Sequence, residues 1–72
     1  MYTTEDIKDL LRQTGELGVV LESGVEYDLH LHDTRFDDES EAVITEGMLE
    51  GEYVISRFPA ERVEHVRWHR ES

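Results

Sequence analysis

Cysteine is absent from this 72-residue chain. That excludes a disulfide framework, a cysteine-based zinc site and a thiol nucleophile, so none of the usual staples of small domains is available. Proline occurs once, at Pro59, tryptophan once, at Trp68, and lysine once, at Lys8. Long apolar runs are also missing. The longest, Leu17 to Leu21 with Gly18 inside it, is far shorter than the roughly 20 residues needed to cross a bilayer. No basic-then-apolar leader opens the chain, so a soluble cytoplasmic protein without a membrane partner is expected. The serines Ser23, Ser40, Ser56 and Ser72 have no Gly-x-Ser-x-Gly elbow around them, and the five glycines are scattered at turns and form no phosphate loop. Nucleophilic catalysis and nucleotide binding are disfavoured, and no catalytic residues and no resident cofactor are expected. At 8.4 kDa the chain is expected to be a single domain, 1–72, of a size that hides only about 60% of its unfolded surface.

What is abundant is negative charge. Eighteen acidic residues against seven basic ones give a formal net charge of -11, an excess that pushes a compact state apart in dilute buffer. Acid enrichment with a single lysine and arginine as the remaining cation resembles proteins of salt-in halophiles. There, molar salt shortens the Debye length to about 3 Å and screens the repulsion. The alternative is an ordinary acidic domain that meets a basic partner. In ordinary salt the field also repels nucleic acid, which makes nucleic acid an unfavoured partner.

The opening "YTTEDIKDLLRQTG" predicts a helix over about 4–14. Thr3 stands as N-cap with Asp6 three residues on, Tyr2 is placed to pack on Ile7, and Gly15 supplies the stop. Ile7, Leu10 and Leu11 share one face. After Gly15 the period changes to two, and strands are predicted at about 17–23, 26–35, 42–46, 52–58 and 63–69, with a turn at Ser23-Gly24. In the second strand Tyr27, Leu29 and Leu31 share one face. The run "DDESE" from Asp37 to Glu41 reads as a solvated loop, and Pro59 as a break in the ladder, because it has no amide proton to donate. The tail is open to two readings. Val63, Val66 and Trp68 suit a strand, while Pro59 could instead start a helix with His65 and His69 four apart; the β-branched and aromatic cluster favours the strand.

The expected fold is thus α+β, mainly β: a short N-terminal helix and about five antiparallel strands in a small sheet or barrel. That element order, with the stretch "VVLESGVEYDLHLHD", resembles the Sm-like and SH3-like small barrels. The Asp-x-x-x-Asn signature of Sm-like RNA binders is not met, since Asp33 is followed four residues later by Asp37. In overall character the chain resembles small acidic haloarchaeal proteins, a resemblance that implies a high-salt habitat and no particular activity.

The most chemical stretch is "EYDLHLHD", Glu26 to Asp33. On an unbroken strand Asp28, His30 and His32 point to one side, and two imidazoles at i and i+2 can reach one divalent metal, with Asp28 or His65 as a further ligand. The spacing from Gly24 to His30 and His32 resembles the first cupin motif. Asp37 stands near that motif's glutamate, no second motif follows, and the chain is too short for the cupin double sheet. The favoured reading is a solvated strand face, with the metal site as the alternative, and all four histidines converge only if the last strand lies beside the second. The stretch "ERVEHVRWHR" interleaves arginines with Trp68 as single-stranded nucleic-acid readers do, although a lone tryptophan in a core-poor chain is expected to be packed. The fourth strand carries apolar groups on both faces: Tyr53 and Ile55 on one, Val54 and Phe58 on the other. One sheet covered by one helix can bury only one of them. The surplus face predicts a non-enzymatic interaction module and a homo-oligomer, most simply a dimer.

Overall fold

The computed structural model describes residues 1–70. Helix α1 (Thr4–Thr14) is followed by β1 (Glu16–Leu21), β2 (Glu26–His30), a 3-10 turn (Leu31–Asp33), β3 (Thr34–Asp37), β4 (Ala42–Leu49) and β5 (Glu52–Pro59). A second 3-10 turn (Ala60–Arg62) leads into β6 (Val63–Arg67). The strands form two antiparallel three-stranded sheets, ordered β2-β1-β6 and β3-β4-β5. The mainly β character with one leading helix is as the periodicity predicts, but the sheets do not close into a barrel.

The helix forms where its ends are written. The Thr3 hydroxyl accepts from the Asp6 amide at 3.1 Å and the Asp6 carboxylate accepts from the Thr3 amide at 3.0 Å, so two donors that a helix start leaves unpaired are satisfied reciprocally. Gly15, at φ 77, closes the other end with its amide on the Leu11 carbonyl, a left-handed position that costs glycine nothing. Ile7 and Leu11 are fully buried, and Tyr2 and Leu10 pack at the margin of the same core.

The second predicted strand, 26–35, is two strands. Leu31–Asp33 turn through one 3-10 step, because β2 must pair with β1 whereas β3 must pair with β4 in the other sheet. The Leu31 amide caps the bend by donating to the Gly15 carbonyl at 3.2 Å. The break ends the period-two alternation, so Leu29 is fully buried while Leu31 is 44% exposed. Across the core the two sheets meet through Leu17, Val19 and Leu29 on one side and Val43 and Phe58 on the other. Tyr27 and Phe58 stack with ring centroids 4.9 Å apart.

Three further segments depart from expectation. β4 runs on to Leu49, three residues beyond the predicted 46, because the tight turn at Glu50 and Gly51, both at positive φ, lets the hairpin continue to its tip. Pro59 ends β5 without interrupting it. Its partner is Ala42, the next pair outward carries the Ala60 amide to the Glu41 carbonyl at 2.9 Å, and ladder bonds fall on alternate pairs. Pro59 therefore occupies a position whose nitrogen faces away from β4, where no bond is lost.

The third departure is the acidic run, which is more than a solvated loop. Glu41 reaches back to the start of α1: its carboxylate lies 2.7 Å from the Thr4 hydroxyl and 3.4 Å from the Thr4 amide, with Asp38 3.1 Å from the same hydroxyl. Lys8 lies 3.4 Å from Asp38. Carboxylates at the positive end of the helix dipole are favourable there, and Thr4 is buried. Replacing Thr4 with valine keeps the shape and removes the hydroxyl. It is expected to cost about 2 kcal/mol, the usual net value of a hydrogen bond to a charged group, read as a lower thermal midpoint.

Candidate functional site

The tail settles as a strand. β6 lies beside β1, with Val20 opposite His65 and Gly18 opposite Arg67, and β1 therefore separates it from β2. His30 sits at the other end of β1, opposite Glu16. The four histidines accordingly do not converge. The His30 Nε2 lies 3.8 Å from Glu16 Oε1, and the His65 Nδ1 lies 3.3 Å from Glu64 Oε1. His32 falls inside the 3-10 turn, off the strand that would have aligned it with Asp28 and His30. Among the described residues no group of three His, Asp or Glu side chains gathers as a metal site. Adding zinc, nickel or manganese is expected to shift the melting temperature equally for the wild type and for the His30→Ala, His32→Ala double variant. A shift confined to the wild type would show a bound metal.

Gly18 shapes the same face of the β2-β1-β6 sheet. A side chain there would come within 3.2 Å of the Arg67 Cγ. The bare backbone lets Arg67 lie across β1 from β6 and reach Glu26 on β2 at 2.9 Å. Trp68, just past β6, is 53% exposed and not packed as its rarity suggested, because the strand ends at Arg67 before the indole can turn to the core.

Among the described residues, four of the eight exposed large apolar side chains lie on the β4-β5 hairpin. Met48 stands opposite Tyr53, and Ile55 opposite Glu46, so Met48, Tyr53 and Ile55 share the outer face of the sheet while Val43 and Phe58 share the inner one. Tyr53 is 84% exposed and Ile55 64%, and Met48 and Leu49 are exposed too. The tip of the hairpin reaches beyond the core, leaving a cleft of about 770 Å³ lined by Tyr27, Asp28, His30, Thr45, Leu49 and Val54 among others.

At the base of β5, Arg57 is held over β3. Its guanidinium lies 3.3 Å from Asp37 and donates to the Ser40 hydroxyl at 2.7 Å. The Ser40 hydroxyl, then Arg57, and then the Ser40 and Glu39 amides stabilise the charged form of Asp37 and hold its pKa below the ordinary 3.8. A depressed carboxylate pKa adds stability that is present above 3.8 and is lost as pH falls through the lower folded value. Ser40→Ala removes the largest of these contributions, so the Asp37 carboxyl is expected to titrate closer to 3.8 when followed by NMR.

No family model matches the chain, and the searches of curated proteins and of solved structures returned no match.

Proposed function

We propose that the chain is a non-enzymatic interaction module that associates with a second copy of itself through the β4-β5 hairpin, in a cytoplasm of molar salt. The observation that carries this reading is the outward row of Met48, Tyr53 and Ile55 on a sheet whose inner face already supplies the core. Exposed apolar side chains gathered on one element mark contact surfaces more often than scattered ones do. The -11 charge opposes pairing of two copies in dilute buffer, and molar salt removes that opposition. Resemblance to haloarchaeal proteins supports the same setting. The experiment is sedimentation velocity in molar potassium chloride: the wild type associates with rising concentration, and Tyr53→Lys with Met48→Lys shifts the population to monomer. Indistinguishable profiles for the two would refute the assignment to this hairpin.

Exposure of Trp68 beside Arg67 and Arg70 favours one second reading, contact with single-stranded nucleic acid by stacking. Arg67 is already committed to Glu26, and the overall charge opposes it. Under the leading reading, oligouridine leaves the fluorescence of Trp68 unchanged at every salt concentration. Saturable quenching would replace that reading with the second.

A further inference from the structure

We infer that the second copy joins edge to edge, β5 against β5, in an antiparallel ladder whose twofold axis passes at Ile55; this rests on the self-association proposed above and specifies its geometry. The starting point is which backbone groups β5 leaves open. The sheet order β3-β4-β5 makes β5 an edge strand. The tight turn at Glu50 and Gly51 closes on the pair Leu49 and Glu52, and at the other end the Ala60 amide bonds the Glu41 carbonyl. Both ends give the same parity: ladder bonds to β4 come from Glu52, Val54, Ser56 and Phe58. Tyr53, Ile55 and Arg57 therefore point their N–H and C=O groups away from β4. Among the described residues no backbone hydrogen bond outside the ladders ends on these three.

Edge strands are ordinarily blunted by lysine, proline or inward charges. This one has no lysine, and its one proline, Pro59, stands only at the last position of the strand. Its outward-bonding residues are an aromatic, an aliphatic and an arginine, without a carboxylate, in a chain with eighteen acids. Of the other edge strands, β2 exposes Glu26, Asp28 and His30, β3 exposes Arg35 and β6 exposes Glu64, His65 and Arg67, so none offers a comparable apolar rim. A rim without a carboxylate admits a second copy of itself, and the avoidance of opposed like charges picks the register. With Ile55 facing Ile55 of the second copy, Tyr53 faces the second copy's Arg57 and Arg57 faces its Tyr53. The Arg57 guanidinium stays on Asp37 and Ser40 of its own copy, and no two like charges are directly opposite, whereas an axis at Arg57 would set arginine against arginine. Two three-stranded sheets become one continuous sheet, and Pro59 marks where the ladder must stop.

The absence of native cysteine makes the test direct. In this register the two Ile55 Cα atoms are about 5.5 Å apart, inside the roughly 4.4–6.8 Å that a disulfide spans. The two Tyr53 Cα atoms are roughly 14 Å apart, four residues along the strand, and out of reach. On oxidation in molar salt, Ile55→Cys is expected to give a covalent dimer and Tyr53→Cys at least about tenfold less. A mixture of Tyr53→Cys and Arg57→Cys chains is expected to cross-link although neither does so alone, which keeps the register testable if the change at Ile55 itself weakens pairing. Association by light scattering with neither the Ile55→Cys dimer nor the mixed dimer would overturn the ladder and leave self-association standing by another edge. A wild type that is monomeric at every concentration would overturn both.

Discussion

Replacing Leu11 with alanine is expected to cost about 3 kcal/mol, within the range for emptying a fully buried leucine site. The variant is clean in one respect: alanine is the best helix former, so helix propensity does not fall and the loss is that of packing. Leu11 is fully buried, next to Ile7 on the one helix that covers the core. A 72-residue domain is expected to have a total stability of roughly 4–11 kcal/mol, so the loss is a large fraction of it. The midpoint of thermal unfolding should fall by roughly 15 °C, given about 4–8 °C per kcal/mol for a domain of this size. Leu31→Ala is the paired control. The bend at Leu31–Asp33 turns that side chain outward, and a loss under about 1 kcal/mol is expected. Equal losses for the two variants in urea denaturation would mean that β2 continues unbroken through Leu31.

The second large effect concerns salt. If the -11 charge is an adaptation to a molar cytoplasm, the denaturation midpoint still rises between roughly 0.5 M and several molar potassium chloride. Coulomb screening has little left to give in that range, where the Debye length is already only a few ångströms. The continued gain comes from stronger effective burial of a small apolar core and from pairing at the hairpin, both favoured by salting-out. An ordinary acidic domain gains most of its stability by about 0.15 M, where the Debye length is about 8 Å. A midpoint that is flat above 0.5 M would assign the acidity to a basic partner instead.

The helix was legible in the sequence to the residue, because its signals are local. Thr3, Asp6 and Gly15 act on neighbours three or four positions away, and nothing distant overrides them. Strand existence was legible for the same reason, through period-two alternation. What could not be read was every feature decided by which strand pairs with which. The bend at Leu31–Asp33 exists only because β2 and β3 serve different sheets, and no residue in "LHD" announces a change of partner. That bend removed His32 from the row that the alternative metal reading needed. The position of β6 beside β1 removed His65. The docking of Glu41 on Thr4 is likewise a contact across 37 positions, hidden in a run of acids that looks uniformly solvated. By contrast, the surplus apolar face of β5 needed only counting: residues on both faces of one strand exceed what a single core can bury, and Tyr53 and Ile55 are indeed left outside.

Light scattering of the wild type across a wide concentration range, in about 2 M potassium chloride where the Debye length is below roughly 3 Å, tests self-association most directly. A mass that climbs with concentration to twice the 8.4 kDa of the chain, and that Ile55→Lys returns to the monomer value, is the expected result. A mass of 8.4 kDa at every concentration would contradict it.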